Sequence, residues 1–424
     1  MTPALTDDEA AALAAIDEDD LGRTLCDLVA VPSISGTGAE SELQHVLAGR
    51  LERCGLDVDL WSMDLPALRD SADFPGGEAP RDEAWGLVGV GPGDGDVPAL
   101  VLQGHVDVVP PGDPRRWRAE PFTPTVVGDV VHGRGTCDMK AGVAAILAAL
   151  AAIGASGVRP RRRLAAHFVV SEEDGGLGAF GTLRRGHTGD ACVIAEPTGG
   201  ALMVANAGAL TFRLEVPGRA THGSTRSAGV SAIDSYLPLH AALARLERRR
   251  NADAHPLMRD HPIPYSLSVG LLHAGDWSSS VPDLLVAEGR LGVKLDEDPA
   301  QARSEFEECV GEACAADPWL REHPATVTWS GGQFASGRLP ERHPLAELVG
   351  GAVADLTGGS RPDERGAPYG SDLRLYAAAG VPTLQYGPGD VRLAHGPREE
   401  VSLAETLTVA RVLVLAALRA AGTR

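Results

Sequence analysis

The chain has 424 residues, 44% of them hydrophobic and 23% charged, which is typical of a soluble globular protein long enough for two domains. Its formal net charge of −20 argues against nucleic-acid binding, because an acidic surface repels phosphate backbones. The six cysteines form no C-x-x-C pair, residues 2–20 lack the features of a signal peptide, and the apolar segments 141–153 and 408–421 are too short to span a bilayer. We therefore expect a cytoplasmic protein that does not enter a membrane.

The first half of the chain alternates between helical and strand-like segments. Helical spacing of apolar residues predicts helices at 19–29 and 40–54, and a run of small residues predicts another at 141–153. Continuous apolar runs predict strands buried on both faces at 99–102, 164–170 and 191–195. Residues 64–83, rich in Pro, Asp and Gly, are expected to make an excursion over the surface. This alternation indicates an α/β domain with a mostly parallel sheet.

The pattern changes after Asn206. Strands and helices are then predicted in the order β-α-β-β-α-β, at 210–216, 231–248, 265–272, 284–295, 299–315 and 325–329. That order is typical of a ferredoxin-like module. We therefore predict one α/β domain made of residues 1–207 and 333–424, with residues 208–332 inserted as a second domain.

Histidine and carboxylate residues stand at the ends of the predicted strands. His105 and Asp107 follow the first strand, Glu172 and Glu173 the second, and Glu196 the third. The carboxyl ends of strands in an open α/β sheet meet at one edge, so these side chains are expected to converge. Histidine with several carboxylates and no cysteine pair is the ligand set of a hydrolytic metal centre.

Two further candidates, Asp138 and His395, lie outside those strand ends. Asp138 precedes the helix at 141–153, where it could be an N-cap or a carboxylate that bridges two metals. The run Glu172-Glu173-Asp174 could equally be a solvated acidic turn, and His395 alone would be an ordinary loop histidine. The prediction of a metal centre depends on the set as a whole.

Residues 117–142 carry a specific resemblance, through Pro121-Phe122, Gly133-Arg134-Gly135 and Asp138-Met139-Lys140-Ala141-Gly142. This segment resembles the family of acetylornithine deacetylase and succinyl-diaminopimelate desuccinylase, which also contains aminoacylase and bacterial glutamate carboxypeptidases. The resemblance extends from Val31-Pro32-Ser33 to His395 and Glu400. It implies a metallohydrolase domain with an inserted ferredoxin-like domain that serves as a lid and in dimerisation.

The resemblance also implies roles for individual residues. Two divalent cations would be bound; the ligands suit Zn²⁺, with Co²⁺ or Mn²⁺ as alternatives. One cation would be held by His105, Asp138 and Glu196, and the other by Asp138, Glu173 and His395. Asp107 would orient His105, and Glu172 would be the general base. The peptide bond between Asp138 and Met139 would be cis.

Two candidates fall in the inserted domain. The resemblance implies that His222 reaches the active site of a partner subunit, which requires a homodimer, although alone it would be a turn histidine. It also implies that Arg290 grips a substrate carboxylate; a solvated strand arginine is the alternative. The segment Ser279-Ser280-Val281-Pro282 departs from the asparagine-containing segment of the desuccinylase and weakens the case for its substrate.

These observations predict a metal-dependent hydrolase that cleaves the amide bond of an N-acyl amino acid or a related N-acyl amine. A dipeptidase or carboxypeptidase with the same two-metal centre is the alternative within the hydrolases. A non-catalytic binding relative is a third reading, which the loss of Glu172 or of a ligand would favour. All of those residues are present.

Overall fold

A computed structural model describes residues 5–424. The chain forms two compact units. The first contains the described part of Met1–Val204 together with Arg338–Arg365 and Leu375–Arg424, and the second contains Ala205–Gly337 and Gly366–Arg374. All six cysteines are free thiols.

The helices and strands before the second unit follow in chain order. They are α1 (Asp7–Ala14), α2 (Glu18–Ala30), α3 (Gly38–Arg53), β1 (Asp57–Ser62), α4 (Leu65–Arg69), β2 (Trp85–Val90), β3 (Leu100–His105), β4 (Thr125–Val127), β5 (Val130–His132), α5 (Ala141–Ala155), β6 (Leu164–Val169), α6 (Leu177–Arg184), β7 (Cys192–Pro197) and β8 (Leu202–Asn206). Local signals fix several of these ends, as in the capping box that Thr6 and Glu9 form at α1.

The second unit follows, and the chain then returns to the first, apart from Gly366–Arg374. The elements of the second unit are β9 (Gly208–Pro217), β10 (Thr221–His222), α7 (Ala232–Arg250), β11 (Leu267–Ala274), β12 (Ser280–Val281), β13 (Leu284–Val293), α8 (Pro299–Ala316) and β14 (Thr326–Phe334). The remaining elements are β15 (Gly337–Arg338), α9 (Pro344–Thr357), β16 (Glu364–Ala367), α10 (Leu373–Ala378), β17 (Thr383–Gly387), β18 (Glu400–Ser402) and α11 (Leu403–Ala421).

A large mixed sheet organises the first unit. Its strands lie in the order β1-β2-β6-β3-β7-β17-β8-β15, and β16 pairs with β8. The four central strands β6, β3, β7 and β17 are parallel, and antiparallel pairs flank them on both sides. The α/β class is confirmed, and its parallel part is the centre of the sheet.

Helices cover both faces of this sheet. Gly104 of β3 faces Val143 and Ile146 of α5. Its neighbour Gln103 therefore faces the other side, together with its register partner His167, whose Nδ1 lies 2.8 Å from the hydroxyl of Tyr376 in α10. The segment Thr136–Ala155, which includes α5, is long and apolar enough to span a membrane, but 78% of an 18-residue stretch within it is buried, as in a core helix.

The predicted excursion at 64–83 is only partly on the surface. It begins with the short helix α4, and its later part carries Arg81, which is buried. The predicted excursion over the surface therefore does not hold for Arg81, because its side chain is paired with two buried carboxylates.

The second unit contains a four-stranded antiparallel sheet in the order β11-β13-β9-β14. Together with α7 and α8 this gives the order β-α-β-β-α-β. Along β9 buried residues alternate with partly exposed ones, because one face packs on the core formed with α7 and α8. Strand β11 lies at the edge and exposes Leu271 and Leu272.

Candidate metal centre

The ends of the four central strands of the first unit carry most of the candidate residues. His105 ends β3 and pairs in register with Val169, which ends β6 and precedes the turn bearing Glu172 and Glu173. Glu196 lies near the end of β7, and the loop after β17 leads to His395. Because these strands are parallel, their carboxyl ends share one edge of the sheet, as the sequence predicted.

Asp138 lies between the two histidines. Its Oδ1 is 3.1 Å from His105 Nε2, and its Oδ2 is 3.5 Å from His395 Nε2. The peptide bond between Asp138 and Met139 is cis, as the resemblance implied. The position before α5 is occupied by Lys140, so the alternative role of Asp138 as the N-cap of that helix is not seen.

Two glutamates complete the cluster, one beside each histidine. Glu196 Oε1 lies 3.6 Å from His105 Nε2, and Glu173 Oε2 lies 3.0 Å from His395 Nε2. Ligand atoms of His105, Asp138 and Glu173 all lie within 4.8 Å of one another, as do those of His105, Glu172 and Glu196. The structure thus brings Glu172 to the same cluster.

These spacings fit metal ligation. Two donor atoms at tetrahedral positions about 2.1 Å from one Zn²⁺ are about 3.4 Å apart. The four histidine–carboxylate distances, from 3.0 to 3.6 Å, bracket that value. The donor set is imidazole nitrogen and carboxylate oxygen, which suits Zn²⁺ and related divalent ions.

Asp107 lies behind the cluster and organises it. Its Oδ1 is 3.5 Å from His105 Nδ1, and its two oxygens accept hydrogen bonds from the backbone N–H groups of Glu172 and Glu173. The hydroxyl of Ser35 donates to it at 2.8 Å. Burial acts to raise the pKa of Asp107, but its contacts with His105, Ser35 and Arg81 outweigh burial and lower it. A carboxylate therefore stays ionised beside the far nitrogen of His105.

The cluster has an excess of negative charge, which favours a bound cation. Hydrogen bonds to Asp138 and Glu173 raise the pKa of His395 to about 11. The pKa of Glu173 is also raised, by burial and by the charge of Asp138. The neighbouring carboxylates thus stabilise an added positive charge at His395, and at Glu173 they add to the larger effect of burial; divalent cations also supply positive charge.

Sequence reasoning missed Glu399, which supports Asp138. Its Oε1 accepts hydrogen bonds from the backbone N–H groups of Cys137 (3.1 Å) and Asp138 (3.2 Å), and its other oxygen pairs with Arg134. Burial raises the pKa of Glu399 to about 7. The sequence feature that could have pointed to Glu399 is Arg134, a cation in the Gly133-Arg134-Gly135 turn for which the sequence alone indicated no acidic partner.

The two remaining candidates lie in the second unit. His222 is exposed, and its Nδ1 accepts a hydrogen bond from the backbone N–H of Ser224, so the neutral ring carries its proton on Nε2. Arg290 is exposed on β13, in register with Thr211 and Ser268. Their predicted roles stay predictions.

The sequence model of peptidase family M20/M25/M40 matches residues 101–419. The chain belongs to this family. An M20 member is a hydrolase of amide bonds, so the predicted enzyme class is confirmed and the non-catalytic reading is set aside.

Curated M20 relatives match most of the chain. The N-formyl-4-amino-5-aminomethyl-2-methylpyrimidine deformylase of Halalkalibacterium halodurans is 27% identical over 414 residues, which cover 91% of each chain. A succinyl-diaminopimelate desuccinylase of Stenotrophomonas maltophilia is 30% identical over 377 residues, 86% of this chain and 89% of the relative.

Solved structures share the fold. A tripeptidase from Staphylococcus aureus has a TM-score of 0.73 at 21% identity and covers 96% of this chain and 99% of its own. A dinuclear metal binding M20 peptidase from Bacillus subtilis has a TM-score of 0.62 at 15% identity, with coverages of 96% and 99%. The M20 family thus contains dinuclear metal enzymes.

Proposed function

We propose that this M20 hydrolase removes a small acyl group from the nitrogen of an amine or amino acid by two-metal amide hydrolysis. One observation carries the proposal: Asp138 directs one carboxylate oxygen to His105 and the other to His395. A carboxylate shared in this way can bridge two cations, and Glu172 belongs to the same cluster. Relatives that are a deformylase and a desuccinylase support the reaction class.

The ligand assignment follows from the nearest contacts. His105, Asp138 and Glu196 would hold the first cation, and Asp138, Glu173 and His395 the second. We propose Zn²⁺ for both, with Co²⁺ or Mn²⁺ able to replace it, because the donors are nitrogen and oxygen. When bound, two such ions polarise an amide carbonyl and lower the pKa of a water molecule towards neutrality.

Within the protein, Glu172 would move the proton. Its carboxylate takes a proton from the attacking water and later gives it to the leaving amine, as a general base and then a general acid. Asp107 would hold His105 in one orientation through Nδ1 and fix the backbone of Glu172. Both steps use side chains that the fold places at one edge of the sheet.

The acyl group is proposed to be small, such as formyl or acetyl. The departure at Ser279-Ser280 from the desuccinylase segment disfavours succinyl. The alternative function, that of a dipeptidase or carboxypeptidase, is supported by the fold shared with the tripeptidase. Arg290 is proposed to contact a substrate carboxylate, since its guanidinium is suited to bidentate hydrogen bonds.

A substrate panel tests the proposal. Purified protein loaded with Zn²⁺ is assayed against N-formyl, N-acetyl and N-succinyl amines and amino acids, and against dipeptides. We expect turnover of formyl or acetyl substrates, loss of activity with a chelator and its return with Zn²⁺. Faster cleavage of dipeptides would favour the alternative, and full activity without metal would overturn the two-metal mechanism.

We also propose a homodimer in which His222 serves the partner's active site. The supporting observations lie in the second unit, where the edge strand β11 exposes Leu271 (66%) and α7 exposes Leu237 (60%). An unpaired edge strand beside exposed apolar residues is suited to pairing with a second copy. His222 would donate from Nε2 to the oxyanion, a contact worth about 10²–10³ in rate.

A further inference from the structure

Arg81 is a buried arginine with two buried carboxylate partners. Its Nη1 lies 3.1 Å from Glu40 Oε2, and its Nη2 lies 2.9 Å from Asp174 Oδ1. Each of these three side chains is at most 7% exposed. A guanidinium placed between two carboxylates in this way fixes the separation and orientation of both.

Both carboxylates hold the turn that follows β6. Glu40 Oε1 accepts a hydrogen bond from the backbone N–H of Ser171 at 3.1 Å, and Asp174 accepts one from the hydroxyl of the same residue. Ser171 has φ of 64°, a left-handed conformation that is uncommon for a residue with a side chain. Such a conformation persists only where surrounding contacts maintain it.

The same turn carries Glu172 and Glu173. Their backbone N–H groups donate to the two oxygens of Asp107, at 3.1 and 3.2 Å. The turn is thus held by Asp107 through its central amides and by the Arg81 group through Ser171 and Asp174. The side chains of Glu172 and Glu173 take no part in these hydrogen bonds that hold the turn.

Asp174 also joins the turn to the segment that contains Arg81. Its Oδ2 accepts a hydrogen bond from the N–H of Ala79 at 2.9 Å, and its carbonyl accepts one from the N–H of Glu78 at 3.0 Å. A Cβ on Gly175, whose φ is 150°, would lie 2.3 Å from the carbonyl oxygen of Gly76. This close approach leaves the turn little room to shift.

Charge makes Arg81 important to this arrangement. Burial acts to lower the pKa of its guanidinium, but the charges of Glu40, Asp174 and Asp107 outweigh burial and raise it. Without Arg81, the buried carboxylates of Glu40 and Asp174 would lose the cation that lies between them, and either could move. Movement of either carboxylate would release Ser171.

We propose that Arg81 is a positioning residue that acts through Asp174 and Glu40 to place Glu172 and Glu173. The inference rests on the proposed two-metal function and deepens it. Glu173 belongs to the second cation site with His395, whereas His105 and Glu196 of the first site come from β3 and β7. Loss of Arg81 should therefore weaken the second site more than the first.

The test replaces Arg81 by methionine and titrates the metal-free protein with Co²⁺, followed by absorption spectroscopy. We expect the first ion to bind as in the wild type and the second about 10–100-fold more weakly, the usual effect of losing support behind a ligand. With saturating metal, kcat should fall while KM stays nearly unchanged. Hydrogen exchange of residues 171–176 in the metal-free protein should become faster. Arg185→Met, which breaks an exposed ion pair with Asp59, is the matched control and should change none of these.

Asp174→Asn provides a second variant, since it removes the charge and keeps the size. Asp174→Asn should also weaken Co²⁺ binding at the second site. The double variant, Arg81→Met with Asp174→Asn, should bind Co²⁺ at that site no more weakly than the weaker-binding of the two single variants, because the two residues act together. Equal weakening of both sites, or an unchanged second site, in either variant overturns the inference. If wild-type protein binds fewer than two ions or cleaves no amide, the proposed function itself fails.

Discussion

Glu172 and Glu173 are adjacent in the chain, yet the structure gives them different surroundings. Glu173 lies 3.0 Å from His395 and groups with Asp138, whereas Glu172 groups with Glu196; His105 belongs to both groups. Neighbouring side chains diverge, so one turn supplies two carboxylates to different places. This divergence separates the proposed ligand from the proposed base.

Replacing Glu172 by glutamine should lower kcat by about 10²–10⁴-fold, because glutamine keeps the size of the side chain but cannot accept a proton from water. Two metal ions should remain bound, as measured by elemental analysis. Glu173→Gln is the comparison, and it should lose one ion. A fully active Glu172→Gln protein would remove Glu172 from the mechanism.

The residues that the sequence could identify were those at strand ends, since buried apolar runs locate a strand and polar residues then mark its end. His105, Glu172 and Glu196 became candidates in this way, and the structure brings them together. Arg81 and Glu399 did not become candidates, because their partners lie far along the chain. Arg81 is 93 residues from Asp174, and Arg134 is 265 residues from Glu399. Only tertiary packing sets such pairings.

At the level of elements, the start of α5 fits closely against β7. A Cβ on Gly142 would lie 2.1 Å from the carbonyl oxygen of Ala195, the residue before Glu196. The glycine therefore lets the helix that follows Asp138 approach the strand that carries another ligand. The position of α5 therefore depends on that of β7.

Gly142→Ala should lower the free energy of unfolding by about 1–3 kcal/mol, the usual cost of adding a methyl group to a tightly packed site. Gly351→Ala is the control, because a Cβ on that residue of α9 would meet no atom within 4 Å. It should instead raise stability by about 0.5–1 kcal/mol. Urea unfolding of both variants measures the difference, and equal effects would contradict this account.

The buried side chain of His167 on β6 predicts that the free energy of unfolding depends on pH. Burial, with a contribution from the charge of His187, lowers the pKa of His167 to about 3. The unfolded chain binds a proton at His167 near pH 6.5 and the folded chain does not, so stability is lost as the pH falls below about 6.5. The contribution approaches about 1.4 kcal/mol per pH unit. In urea unfolding from pH 7 to 4.5, His167→Gln should show a flatter decline than the wild type; parallel curves would refute this.

Some elements escaped prediction for physical reasons. Strand β1 alternates charged and apolar residues at Asp57-Val58-Asp59-Leu60, so its half-exposed face lacks the continuous apolar run of a central strand. Strand β2 contains Gly86 and Gly89, which weaken a strand pattern. The order of strands in the sheet also cannot be predicted from local sequence, since β17 lies between β7 and β8 although it follows both in the chain.

For the whole molecule, the proposed dimer makes each active site depend on two copies of the chain. Glu172 would come from one subunit and His222 from its partner. Variants that each lack one of these residues should therefore complement each other when they share a dimer.

Co-expression of Glu172→Gln with His222→Ala should give about a quarter of the wild-type activity, since half of the randomly formed C2 dimers are mixed and each has one intact site. Activity of the purified mixture, compared with that of each variant alone, measures the recovery. The control pairs Glu172→Gln with the double variant and should recover nothing. A monomer with full activity in gel filtration would exclude shared sites.

The late insertion of β17 has a consequence for biosynthesis. During synthesis, the residues of β7 and β8 are added to the chain long before Thr383–Gly387. The edges of β7 and β8 that pair with β17 therefore stay unpaired until that strand has been synthesised. His395 arrives later still, after all four of the other proposed ligands. The proposed second cation site can thus be completed only after His395 has been synthesised, so a chain that stops before His395 would be expected to bind at most one ion.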